Sequence, residues 1–257
     1  MDINLLVLNV GNTRLALGVF IAGDLQFSTR ILHDNRADWD GRIADAWNRI
    51  KDLDSPAIAG VSVNPAAMEG IEQAVSRAIG QQVEWVGRDI DLPIKVMTEN
   101  PVETGPDRIV NVAAAFEQMG KGCVVVDAGT AITVDVCNDA GDFLGGAIGA
   151  GLGILLDGLH DRTARLPRVQ FRVPGATIAK NTEEAILSGV YHSVRGMVKE
   201  LVENYATELG FWPDIIATGG DATALFEGWE LIHAVSPDLT LYGIALAYAN
   251  HHIKHGT

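Results

Sequence analysis

Cysteine is nearly absent from this chain of 257 residues: there are two, Cys123 and Cys137. That is too few for a disulfide framework, and each lies in or beside an apolar run, so both are expected to be reduced residues of the core. Also missing is any run of about eighteen apolar residues, the length a membrane-spanning helix needs. The opening Met1-Asp2-Ile3-Asn4 shows neither the basic region nor the cleavage pattern of a secretory signal. Basic residues are scarce, 19 Lys and Arg against 33 Asp and Glu, giving a net charge of −14, and they are scattered rather than clustered. Such a surface repels nucleic acid and anionic membranes. The expectation is a cytoplasmic protein with no nucleic-acid and no membrane partner. Any phosphate chemistry would then rest on backbone amides, a bound cation and a few chosen basic side chains.

What the chain does have is one turn written twice. Leu5-Leu6-Val7-Leu8-Asn9-Val10-Gly11-Asn12-Thr13-Arg14-Leu15-Ala16 is answered by Cys123-Val124-Val125-Val126-Asp127-Ala128-Gly129-Thr130-Ala131-Ile132-Thr133. Each is an apolar run, an Asn or Asp, a small residue, a Gly, polar side chains and a second β-rich run. This predicts a hairpin with buried strands and a polar turn. The glycine lets backbone approach a ligand, and the neighbouring hydroxyls and amides can bond phosphate oxygens. One such turn is usually only a hairpin. Two in register predict a duplicated α/β protein that grips a nucleotide.

The remaining pattern agrees with two α/β halves. Strands are expected over 3–32, 56–63 and 83–86, with helices over 36–52, 66–79 and 107–119. The second half opens with strands at 123–137 and 142–148. A helix from Gly151 to Leu159 follows, then a long one over 183–209 capped by Asn181-Thr182. A strand at 215–218 and a closing helix over 238–253 complete it. Gly120 and Gly122 suggest the boundary, dividing the chain into 1–117, a phosphate-binding domain, and 118–257, a nucleotide-binding domain.

Four segments carry chemistry. Gly105-Pro106-Asp107-Arg108 opens a helix. Asp107 either caps that helix or accepts a proton from a substrate hydroxyl while Arg108 binds an anionic end of the same substrate. Asp127 ends an apolar run, where a carboxylate needs a partner: its own backbone or a bound cation. The Gly145-Gly146-Ala147-Ile148-Gly149-Ala150-Gly151 run permits close backbone approach at a helix start. Thr218-Gly219-Gly220-Asp221 reads either as a plain strand-to-helix turn or as a passage for a base or ribose. The histidines form no metal-ligand spacing, and His251, His252 and His255 fall in an expected frayed tail.

In this order the segments resemble the type III pantothenate kinase family, within the actin and sugar-kinase superfamily of duplicated ribonuclease-H-like domains with mixed sheets flanked by helices. Asn9-Val10-Gly11-Asn12-Thr13 is similar to the family's Asp-x-Gly-Asn-Thr, Gly105 to Arg108 to its Gly-x-Asp-Arg, and Asp127 to Thr133 to its Asp-x-Gly-Thr-Ala-x-Thr. Gly145 to Ile148, Asn181-Thr182, Thr218 to Ala222 and Asp238 to Gly243 continue the match across nearly the whole chain. The resemblance implies ATP-dependent phosphorylation of pantothenate, the first committed step toward coenzyme A, by a homodimer. Asp107 would be the general base. Thr98, Gly105, Pro106, Asp107, Arg108 and Thr182 would hold pantothenate. Asn9, Val10, Gly11, Asn12, Thr13, Arg14, Leu15 and Ala16, with Thr133, Gly146 and Gly220, would hold ATP and its Mg2+. Asp127 would hold a monovalent cation, K+ or NH4+. Three positions depart: Asn9 stands where the family has aspartate, Thr98 where a substrate-contacting tyrosine is expected, and Ala150 where it has proline. Asn9 keeps one carbonyl oxygen but not the charge that favours a hydrated Mg2+. The departures leave two other expectations open, a ligand-binding regulator without catalysis and a kinase for a different small hydroxy-acid.

Overall fold

The computed structural model describes residues 3–256. The chain forms two compact units, Met1–Ala114 with Asp238–Thr257, and Ala115–Pro237. In order, the first unit contains β1 (Leu5–Val10), β2 (Arg14–Ile21), β3 (Asp24–Leu32), α1 (Trp39–Trp47), β4 (Ala57–Ser62), α2 (Pro65–Ile79), β5 (Glu84–Trp85) and the start of α3 (Pro106–Met119). The second contains β6 (Cys123–Ala128), β7 (Ala131–Cys137), β8 (Phe143–Ala150), α4 (Leu152–Asp161), α5 (Thr182–Leu209), β9 (Asp214–Thr218), α6 (Ala222–Phe226) and β10 (Ala234–Val235). The last helix, α7 (Leu239–His255), returns to the first unit.

Each unit is built on a five-stranded mixed sheet, and the two have one plan. In the first, the order is β3-β2-β1-β4-β5, with β1, β2 and β3 an antiparallel meander and β4 and β5 added parallel to β1. In the second, β8-β7-β6-β9-β10 repeats it, with β9 parallel to β6 and β10 parallel to β9. A parallel neighbour requires a crossover, and the apolar stripes of the intervening helices supply it.

Strand alternation decides which helix each face receives. Leu6, Leu8 and Val10 of β1 pack with Ile43, Ala46 and Trp47 of α1 and Ile71, Ala74 and Val75 of α2. Leu5 and Val7, on the opposite face, pack with Val110 of α3 and Leu241, Ile244 and Ala245 of α7. Burying each such side chain contributes roughly 1.5–3 kcal/mol. Gly243 is required here: a Cβ on it would lie 2.1 Å from the Val110 carbonyl oxygen. The second core is made by Val124, Val126 and Ala128 of β6 with Leu187, Val190, Val194 and Val198 of α5. The thiols of Cys123 and Cys137 meet in the second unit, fully buried and unbridged, 3.5 Å apart.

Local signals set the helix ends. The Asn64 side chain accepts from Ala67 N at 3.0 Å and Pro65 occupies the first position of α2, while Asn181 accepts from Glu184 N at 2.9 Å to start α5. Both helices stop at a left-handed glycine, Gly80 at φ 67° and Gly210 at φ 76°.

Three expectations change. The helix expected over 36–52 is a 3-10 turn, His33–Asp38, kinked at Asn35 (ψ 41°), followed by the shorter α1. α7 continues to His255, so the terminal histidines occupy a formed last turn rather than a frayed tail. The contacts also place this helix with the first unit, although its place in sequence had grouped it with residues 118–237. Its buried face supplies Leu241, Ile244, Ala245 and Ala247 to the core around Leu5 and Val7.

Candidate active site

In the first unit the chemistry gathers at the carboxyl ends of the parallel strands β1 and β4, the position at which open α/β sheets bind ligands. Asn9 pairs in register with Val61 of β4 and Ala16 of β2. By strand alternation it shares a face with Leu5 and Val7, the face that receives α3. Asn12, Thr13 and Arg14 are exposed at the turn, and Gly11 N donates to Arg14 O at 3.0 Å to close it. Val10 and Leu15 are fully buried, while Ala16 is half-buried. The first two therefore hold the turn by packing, and backbone is all they can offer a ligand.

One residue missed in the sequence holds this turn. The His33 backbone N donates to Thr13 O at 3.0 Å, and its Nε2 donates to Gly11 O at 2.8 Å. The ring stands edge-on to Trp39 at 5.6 Å. Its Nδ1 is buried without a protein partner, so Nε2 carries the proton in the neutral ring. Nothing near His33 in sequence signals this role, because its partner lies two strands earlier.

Asp107 is the second residue of α3, behind Pro106 at the helix start. Its Oδ1 accepts from Arg108 N at 2.8 Å, and the positive end of the helix favours the ionised carboxylate. A Cβ on Gly105 would lie 2.7 Å from that oxygen and 3.8 Å from Val63 Cγ1, just beyond the end of β4. Gly105 thus leaves the space the Asp107 carboxylate fills. Thr98 and Thr104 share a hydrogen bond of 3.0 Å, folding the preceding segment back on itself. Unit one therefore brings the polar turn and the Asp107 helix to one end of one sheet.

In the second unit, β6 points Val124, Val126 and Ala128 into the core and turns Asp127 to the other face. Asp127 pairs with Thr133 of β7 on one side and Thr218 of β9 on the other. Thr133 Oγ1 donates to Asp135 Oδ2 at 2.8 Å, and Asp135 is 1% exposed, so this aspartate is an inner residue of the sheet rather than a solvated one. Thr218 Oγ1 is buried beside Asp127 without a protein partner. Gly219 turns the chain over the carboxylate at φ +95°, and a Cβ there would lie 2.4 Å from both Asp127 Oδ1 and Ala128 O. Asp221 N then donates to Ala128 O at 2.9 Å, leaving Gly220 exposed at the crest of the turn.

Gly146 pairs with Asp135, and a Cβ on it would lie 2.4 Å from Asp135 Oδ1. The glycine run is therefore a strand, β8, whose bare residues let it lie against β7; Ala150 is its last residue, paired with Ala131. Thr182 opens α5. It is exposed at the first turn of α5, on the rim of an apolar groove of about 500 Å³ lined by Leu155, Leu159, Leu166, Ile186 and Val190.

Two sheets of identical strand order, each ending in a polar Gly turn, define the actin and sugar-kinase class of ATPase folds. Solved structures agree at the level of fold. The ethanolamine utilization protein EutJ from Carboxydothermus hydrogenoformans matches with TM-score 0.55 at 15% identity, covering 94% of this chain and 89% of that one. MreB 5 of Spiroplasma citri matches with TM-score 0.54 at 11% identity over 100% of both. A sequence model of the type III pantothenate kinase family matches residues 5–204. The type III pantothenate kinase of Solibacter usitatus is 36% identical over 253 residues, 96% of this chain and 97% of its own length. The chain belongs to the type III pantothenate kinase family.

Proposed function

We propose that the protein transfers the γ-phosphoryl group of ATP to the hydroxyl of pantothenate, in the cytoplasm and as a homodimer. One observation carries the chemical reading: the family's polar turn and its Gly-Pro-Asp-Arg helix start lie at the same end of one sheet, with Asp107 at the positive end of α3. The kinase relatives support the reaction class over a regulator without catalysis.

Phosphoryl transfer asks the protein mainly for positioning and charge handling. Asp107 accepts the proton of the acceptor hydroxyl, and Arg108 pairs with the pantothenate carboxylate. Gly105 and Pro106 shape that end of the helix, and Thr98 borders it where the family places an aromatic side chain. Backbone amides of Asn12 and Thr13 meet phosphate oxygens on the turn that Gly11 closes, with Arg14 its basic side chain. Thr133, Gly146 and Gly220 serve the nucleotide in the second unit.

Asp127 fits a monovalent cation such as K+ or NH4+. Its neighbour Thr218 has a buried hydroxyl oxygen without a protein partner, and hard oxygen donors suit such an ion. When bound, the cation offsets phosphate charge. Magnesium would arrive with ATP, and Asn9 offers it a neutral carbonyl oxygen, directly or through water. The homodimer reading rests on the apolar groove between α4 and α5, whose Leu155, Leu159 and Ile186 are the kind of surface that a second copy covers; Thr182 at its rim would then contact substrate.

The deciding experiment is a coupled ADP-release assay with ATP, Mg2+ and K+, with and without pantothenate. ADP formation that depends on pantothenate is the expected result. ADP release that ignores pantothenate, or that prefers another hydroxy-acid, overturns the assignment.

His33 gives a smaller, separable prediction. Losing its hydrogen bond to Gly11 O removes roughly 0.5–1.5 kcal/mol from the turn, up to about a tenfold effect. His33→Ala should raise KM for ATP by that factor with little change in KM for pantothenate, and His33→Gln should recover part of it. Equal changes in both constants would mean a general loss of folding instead.

A further inference from the structure

We propose that Asp91, His251 and His255 form a binding site for one divalent transition-metal ion of the zinc class, in the first unit and outside the residues assigned to the kinase reaction. His251 and His255 are spaced i, i+4 on α7, the helical spacing that brings two imidazoles to one side. Asp91 comes from the loop after β5. One ligand atom from each of the three residues lies within 4.8 Å of the others.

The distances suit such an ion. Zinc bonds nitrogen and oxygen at about 2.0–2.2 Å, so two ligands of a tetrahedral ion stand about 3.3–3.5 Å apart. Asp91 Oδ2 lies 3.2 Å from His255 Nε2 and 3.6 Å from His251 Nδ1. The ligand chemistry also fits, since two imidazoles and a carboxylate leave a fourth position for water. His251 Nδ1 accepts a hydrogen bond from Asp91 N at 3.1 Å, and a bound ion would take over that lone pair from the amide.

Without an ion the same carboxylate is held by Lys254 and His255. Lys254 Nζ lies 2.9 Å from Asp91 Oδ2, and the hydrogen bonds from Lys254 and His255 bring the Asp91 carboxyl down to about 2. Lys254 is 69% exposed and held here by this one pair, so it can swing into solvent when a metal takes its place. A bound ion would pin the last turn of α7 to the β5 loop, beside the existing His252–Glu84 contact of 3.1 Å.

The test uses the full, untagged chain stripped with a chelator and titrated with zinc chloride by calorimetry, then with cobalt(II). Expected is one equivalent of zinc at about micromolar affinity, and the strong visible bands of four-coordinate cobalt. His255→Ala and Asp91→Asn should each weaken zinc about tenfold or more, while His192→Ala, a histidine elsewhere on the surface, should not. Both key positions are exposed, so the fold should survive, which circular dichroism checks. Absence of saturable zinc binding, or binding unchanged in both variants, overturns the site and leaves an ion-pair cluster. Because these residues play no part in phosphoryl transfer, the outcome is independent of the kinase assay.

Discussion

Replacing Asp107 with asparagine should lower kcat for pantothenate phosphorylation by about 10²–10⁴, the range that a positioned general base contributes. The substitution is chosen for shape. An asparagine carbonyl can still accept from Arg108 N, as Asp107 Oδ1 does at 2.8 Å, and Gly105 still leaves room beside it. The start of α3 should therefore remain folded, and KM for ATP, whose proposed contacts lie on the other turn, should move little. What is lost is basicity alone. Alanine would be a poorer test, because it also removes the hydrogen bond at the helix start. An Asp107→Asn enzyme with undiminished kcat would remove Asp107 from the chemistry and leave it as a helix-capping residue.

The second large effect runs in the opposite direction. Asn9→Asp should raise kcat by about 10²–10³, the usual scale for one well-placed electrostatic group, and should lower the Mg2+ concentration needed for half-maximal rate. Asn9 sits one residue before the end of β1 on the face that receives α3, at the end of the sheet that also carries Asp107. A carboxylate there adds the charge that a hydrated Mg2+ prefers to a neutral amide. The position is half-buried, so the new charge carries a desolvation cost that metal binding must exceed. Titrating Mg2+ against rate for both proteins separates the contributions. Unchanged kcat with unchanged Mg2+ dependence would show that the amide serves as well as the acid.

Most of the architecture was legible because strand period and helix period differ so clearly here. Leu5 to Val10 and Cys123 to Ala128 are short, nearly continuous apolar runs bounded by Gly turns, and both became central strands. Asn181-Thr182 announced α5 through its cap. The turns, the Gly105–Arg108 helix start and Asp127 could be found for the same reason, since special backbone leaves its mark in glycine. What escaped was everything made by distance along the chain. His33 reaches Gly11, and Thr218 comes beside Asp127, only through strand pairing. His255 looked like part of a frayed end because α7 was expected to stop at about 253, before its last turn was complete. α6 and β10 were too short to rise above the surrounding pattern. Asp135 shows the limit of alternation: a nearly sealed aspartate on a strand depends on its hydroxyl neighbour Thr133.

The return of α7 to the first unit sets an order in time. Residues 115–237 are continuous in the chain, so this unit can close its core as soon as it has emerged from the ribosome. The older segment must wait. Until residues 238–257 arrive, Leu5, Val7, Phe20, Val61 and Val110 lack Leu241, Ile244 and Ala245 as partners. The half that is translated first is therefore finished last, and its unfinished sheet is the part of a nascent chain most dependent on chaperone protection.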